Sequence, residues 1–206
     1  MPESIPDLTC PLGGQVYRFR APDVYDPARA RRTLTRQRVR RPSLLEFRMV
    51  GLAGIERLAE TVGEADEGAR QQAVLTEWFD LVEPVREDDI DEPDLELRAA
   101  ALAVRENARL ARQGALQADA LMIEANLERH WQPYAELLAD RRFWDEVARI
   151  DIVRLLLEAV DGVPVRRDAE GLMTQDAYRA LPPDRRMELA TFAFRLLAPD
   201  EETRKN

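Results

Sequence analysis

Histidine, cysteine and lysine each occur once in the 206 residues, at His130, Cys10 and Lys205. A single cysteine closes no internal disulfide, and Cys10 reads as a small buried or half-buried apolar side chain. One histidine beside one cysteine excludes a zinc site built from nitrogen and sulfur ligands. Any serine triad would have to recruit His130, and no glutamate stands three residues before it to make a di-metal helix motif. His130 adjoins Trp131 at an expected helix end, so it reads as a capping or partly packed side chain. No apolar run approaches the roughly 18 residues of a membrane span. Met1-Pro2-Glu3-Ser4 has neither a basic nor an apolar segment, so no signal peptide is expected. Together these absences point to a reducing cytosol, with no metal, cofactor, membrane or catalytic constellation.

Two further chemistries drop out on spacing. Gly51 and Gly54 fall inside an expected helix, so no glycine-rich loop is left to cradle phosphate. The acidic run Glu87-Asp88-Asp89-Ile90-Asp91-Glu92-Pro93-Asp94-Leu95-Glu96 has alternating carboxylates. However, it lacks the glycine and closing glutamate of a calcium loop, and Pro93 intrudes. It reads as a solvated linker or helix start.

What is present is apolar and charged residues in globular proportion, 45% and 33%, with a net charge of −9. That balance disfavours non-specific attraction to nucleic acid. The charge is uneven, with ten arginines against five acids in residues 1–50.

Leu8, Cys10 and Leu12 alternate, Gly13-Gly14 is a turn dipeptide, and Gln15 to Ala21 alternates again, which predicts a β-hairpin with Pro11 on an edge strand. Asp26-Pro27 opens a helix to about Arg41, which Pro42 ends. Ser43 and Glu46 form a capping box. The helix they open presents Leu44, Phe47, Gly51, Ile55, Leu58 and Val62 on one face and closes at Gly63. A third helix covers about 66–82 with Val74, Leu75, Trp78 and Val82. A long alanine-rich helix follows over about 93–130. Pro133 starts another helix or a kink, and Phe143, Trp144, Val147, Ile150, Val153 and Leu157 line a helix expected to end at Gly162. Val163-Pro164-Val165 is extended, Thr174 caps a short helix to Ala180, and Pro182 or Pro183 opens a last one carrying Leu189, Phe192, Phe194 and Leu197. From Pro199 the tail is polar and expected to fray. The fold class is mainly α: a helical bundle with a small N-terminal hairpin and one long helix. It divides into 1–84 and 85–206, or forms one continuous domain.

Three sets of residues are candidates for partner binding. Arg29, Arg32, Arg36 and Arg40 share a helical face, as a phosphate-tracking surface would. The alternative is a solvated face paired with acids of 87–96 or of a neighbouring subunit. Within the long helix, Leu97, Ala101, Val104, Ala108, Ala111, Ala115, Ala118, Met122 and Ala125 keep the heptad spacing of a packed seam. Ala108, Ala111 and Ala115 would let another helix approach closely, in the same chain or in a homo-oligomer. Trp131 and Trp144 are candidate exposed anchors, with core positions as the alternative.

Three segments together resemble the tail assembly chaperones of long-tailed bacteriophages, prophages and gene-transfer particles. They are Gly14-Gln15-Val16-Tyr17-Arg18-Phe19-Arg20-Ala21-Pro22, Asp140-Arg141-Arg142-Phe143-Trp144-Asp145-Glu146-Val147, and Ala198-Pro199-Asp200-Glu201-Glu202-Thr203-Arg204-Lys205-Asn206. The resemblance implies a mainly helical, non-enzymatic protein of the bacterial host cytosol. Its client would be the long helical tape measure protein, held soluble until tail-tube protein polymerises around it. It also implies a longer, frameshifted form, for which the lone Lys205 followed by Asn206 is a candidate slippage site. The length and the alanine-seamed helix depart from the family pattern. A nucleic-acid-associated helical protein using the arginine face, and a virion structural or connector protein, are the other readings.

Overall fold

A computed structural model describes residues 8–197. The chain is mainly α, 68% helical, with seven helices and a four-stranded antiparallel sheet among those residues. The polar tail, the third segment of the resemblance and Lys205-Asn206 lie outside the described residues.

The chain divides into two compact units, and the division is not the one expected at 84/85. One unit is discontinuous, Met1–Arg41 with Arg141–Asn206, and the other, Pro42–Asp140, is inserted between its halves. The physical reason is strand pairing between the two ends of the sequence, which reading along the chain does not reveal.

In the discontinuous unit, β1 (Thr9–Leu12) and β2 (Gln15–Phe19) form the expected hairpin. Gly13 and Gly14 both take positive φ, 57° and 79°, as a two-residue turn of this hand requires. Pro11 sits on β1, the sheet's edge. The hairpin extends into a sheet of order β1-β2-β3-β4 through β3 (Leu157–Val160) and β4 (Val163–Pro164). The expected helix to Gly162 therefore ends at Leu156, and the next four residues are a strand paired with β2. Asp161-Gly162 makes the turn into β4 with φ of 49° and 79°. Asp161 locks it by accepting from the Val16 amide at 2.8 Å and from Gln15 Nε2 at 3.1 Å.

The helix α1 (Asp26–Arg36) is shorter than expected. Arg38 adopts φ 58°, and the amides of Arg38 and Val39 donate to the carbonyls of Thr35 and Leu34, closing the helix in a Schellman turn before Arg40. The helix α5 (Gln132–Leu156) feeds β3, then α6 (Gln175–Arg179) is capped by Thr174 as expected, and α7 (Pro183–Leu197) ends the described chain. Tyr17, Phe19, Val153, Leu156, Leu157, Met173 and Leu189 fill this unit's core. Of the expected α5 face, Val153 and Leu157 are buried, but Phe143 is 58% exposed.

The inserted unit starts with α2 (Leu44–Val62), whose capping box is formed as read: Ser43 Oγ accepts from the Glu46 amide at 3.2 Å, and Glu46 Oε2 accepts from the Ser43 amide at 2.8 Å. Gly63 closes it at φ 76°. Then come α3 (Ala65–Asp80), a 3₁₀ turn at Glu87–Asp89 within the acidic run, α4 (Leu95–His130) and the first turns of α5. Phe47, Ile55, Leu75, Ile123, Leu127 and Tyr134 form its core. Phe47 meets Tyr134 edge-on, with ring centres 5.5 Å apart. At Gly54 this core leaves no room for a side chain: a Cβ there would lie 2.6 Å from Trp131 Cδ1 and 2.8 Å from Leu127 Cδ2.

Because that methyl has no room, Gly54→Ala is expected to destabilise the protein by about 1–3 kcal/mol despite alanine's better helix propensity. Urea unfolding measures it; a more stable variant would mean that Trp131 gives way freely.

Candidate functional site

The arginine face is largely taken up within the fold. Asp26, fully buried at the start of α1, accepts from Arg20 Nη1 and Nη2 at 2.7 Å each, from the Asp23 amide at 2.7 Å and from Arg29 at 3.0 Å. Burial alone would raise this carboxyl's pKa, but Arg20, the Asp23 amide and Arg29 together hold it below its ordinary 3.8. Arg29 also pairs with Asp23 at 2.5 Å, and Arg36 pairs with Glu170 at 2.8 Å. The acids that answer Arg29 and Arg36 thus come from Asp23, Asp26 and Glu170, not from the run 87–96. Arg32 is exposed on α1, while Arg40 lies beyond the helix end and off its face.

A second polar cluster is buried beneath α1. Asp151 and Arg154 of α5 are 3% and 7% exposed. Arg154 donates to Asp151 at 3.2 Å, to Asp168 at 3.2 Å and to the Met173 carbonyl at 2.7 Å, while Gln37 donates to Asp151 at 2.8 Å. Desolvation raises the Asp151 pKa, opposed by Arg154 and Gln37. Asp168 in turn accepts from the Glu170 and Leu172 amides. The cluster therefore fastens the loop before α6 onto α5. Every polar atom named in it has a partner inside the fold, which is the arrangement of a structural clasp.

In the inserted unit, Arg109 is bidentate to Glu106 at 2.6 and 2.8 Å and reaches the Leu81 carbonyl, while Glu106 also accepts from the Val85 amide. This fixes the turn after α3 to α4. Arg112 is bidentate to Glu77 at 2.5 and 2.7 Å. Glu67 and Glu106 are each held at about 2, chiefly by the hydrogen bonds from Arg70 and Arg109.

The alanine seam does not pack within the chain. Ala108, Ala111, Ala115, Ala118 and Ala125 are exposed, as are Leu97, Val104 and Met122. The face of α4 that packs in the core carries Leu116, Ala120, Ile123 and Leu127, another 4-3-4 series about a third of a turn away. The larger side chains decide: burying leucine and isoleucine removes more apolar area from water than burying alanine. Trp131 is half-buried against Gly54 with its indole N–H unpaired, and Trp144 is half-buried under the Arg41 guanidinium, 4.6 Å from its ring centre. Neither tryptophan is a fully exposed anchor.

His130 is exposed in the last turn of α4 and lines a cleft of about 410 Å³ with Glu67, Gln71 and Asn126. Ser43, the one serine among the described residues, is committed to its capping box. No group of three or more potential metal ligands occurs among the described residues, and no helix there is long and apolar enough to cross a membrane. What the arrangement offers chemically is apolar and charged surface on helices. No family model, curated protein or solved structure matches the chain.

Removing one partner of the buried cluster leaves the other charge uncompensated, so Arg154→Met is expected to cost about 3–5 kcal/mol, read by denaturant unfolding. A loss under about 1 kcal/mol would place the cluster in water rather than the core. The depressed carboxylates set an acid limit. A group whose folded pKa lies below its unfolded value stabilises the fold above the unfolded value, here 4.5, and loses that contribution as pH falls toward about 2. The unfolding midpoint should therefore drop between these limits, and more shallowly in Glu67→Gln and Glu106→Gln, whose curves would otherwise overlay the parent's.

Proposed function

We propose that the protein is a non-enzymatic assembly chaperone of the phage-tail type. It works in the cytoplasm of a bacterial host, holding the helical tape measure protein soluble by protein–protein contact until tail-tube protein surrounds it. One observation carries the reading: the helices of the inserted unit complete a core and still leave large apolar side chains in water. Leu44, Leu45 and Met49 are exposed in the first two turns of α2, and Leu121 on α4. Apolar helix faces of this kind suit the apolar face of a client helix. The engagement of Arg29 and Arg36 by acids of the same chain weighs against phosphate as the ligand.

Co-expression tests the reading. A tape measure protein that is insoluble alone is expected to become soluble and co-purify with this chain, and Leu45→Glu with Met49→Glu to lose that effect while remaining folded. Failure to solubilise it would overturn the proposal. Recovery of the protein in mature particles would favour the structural or connector reading, and a salt-sensitive mobility shift with DNA abolished by Arg32→Glu and Arg36→Glu would favour the nucleic-acid one.

A further inference from the structure

We propose that the exposed stripe of α4 is the contact between two copies of this chain, paired antiparallel about a twofold axis near Gln113. The stripe reads the same in both directions: Val104, Ala108, Ala111, Ala115, Ala118 and Met122 are separated by 4, 3, 4, 3 and 4 residues. Reversed onto itself, it sets Val104 against Met122, Ala108 against Ala118, and Ala111 against Ala115. The side chains are small at the centre and large at both ends, with Val104 and Met122 69% and 61% exposed. Two helices crossing there approach most closely at the alanines, and the larger residues fill the space where the axes diverge, about 27 Å end to end. Gly114, at the flank of the centre, has nothing within 4 Å of where its Cβ would be, so a second backbone can come close.

Charge selects the direction. On one edge of the stripe lie Arg98, Arg105, Arg112, Asp119 and Asn126, at seven-residue intervals. Antiparallel pairing sets Arg105 opposite Asp119 of the second copy, twice by symmetry, and Arg98 opposite Asn126. The like-charged meeting at the axis, Arg112 with Arg112, is relieved because each is already bidentate to its own Glu77. Arg105 already donates to its own Asp89 carbonyl at 2.8 Å and Asp119 lies in the field of its own Arg70, but parallel pairing would face Arg105 with Ala100 and Asp119 with Gly114, so no opposite charges would meet across the contact. The surface is thus self-complementary in one orientation, as a twofold contact between identical chains requires. The pairing stands on α4 alone and does not depend on the client.

Sedimentation of the full chain across a concentration series should show a monomer–dimer equilibrium. Arg105→Asp and Asp119→Arg should each weaken it at least about tenfold, and the two changes together in one chain should restore it. Ala111→Glu should leave the chain monomeric, with the melting temperature of the parent at dilutions where it too is monomeric, because the position faces water within the chain. In a Cys10→Ala background, oxidised Gly114→Cys should form a cross-linked dimer and Leu97→Cys should not. A parent chain that stays monomeric throughout, a charge swap that fails to restore association, or cross-linking at Leu97 equal to that at Gly114 overturns the proposal. Client solubilisation by the Ala111→Glu chain separates the two readings: it can persist when pairing is lost, and its absence in the parent chain says nothing against the dimer.

Discussion

The pairing of β2 with β3 is the constraint on which the discontinuous unit depends. Tyr17 opposes Val160 and Phe19 opposes Leu157, so strands from the two ends of the sequence share one ladder. Closing so long an intervening segment costs chain entropy, although the cost grows only slowly with length. Polar locks at both ends of the ladder offset it. Asp161 bonds β2 at the turn end. At the other end, Arg20 reaches Asp26 and the Leu155 carbonyl while its amide donates to Leu156. Tyr17, Phe19 and Leu157 then bury the apolar side of the same ladder. Polar locks fix the register and apolar burial supplies most of the stabilisation.

Arginine serves as the internal fastener throughout. Arg20, Arg109, Arg112 and Arg154 each bridge segments that are separate in sequence: Arg112 by two parallel hydrogen bonds to Glu77, the others through the carbonyls of Leu155, Leu81 and Met173. A planar fork makes such contacts with little further loss of rotamer freedom. An arginine-rich segment in a chain with a single lysine therefore need not signal phosphate.

Local signals were legible in the sequence, and choices between equivalent surfaces were not. The capping box at Ser43 and Glu46, the turn glycines, the closure at Gly63 and the Thr174 cap were read correctly because each satisfies its own neighbours' backbone. The strand at 157–160 is not legible from periodicity, because Leu155, Leu156 and Leu157 are all apolar and fit either period. The signal that could have found it was Asp161-Gly162 flanked by Leu-Glu-Ala-Val and Val-Pro-Val, a hairpin pattern. On α4 two series share the same heptad step, and alanine satisfies an apolar pattern without requiring burial, so spacing alone does not say which of them packs within the chain. The acidic run, one of the two sources expected for acids facing the arginines, is not what Arg29 and Arg36 meet: Arg29 pairs with Asp23 and Asp26 close by in sequence, and only Arg36 reaches a distant acid, Glu170. Of the candidate site, the sequence therefore supplied the residues but not which of them face water.

The inserted unit has a consequence in time as well as in space. Residues 42–140 complete their own core, whereas Tyr17 and Phe19 must wait for Leu157 to be made. At roughly 5–20 residues per second on the ribosome, that delay is on the order of ten seconds. Throughout it, the β2 edge of the Gly13-Gly14 hairpin lacks its partner strand, in a nascent chain whose residues 42–140 have their whole core available. Synthesis and completion thus run in different orders: β2 is made before the inserted unit and is paired only after it.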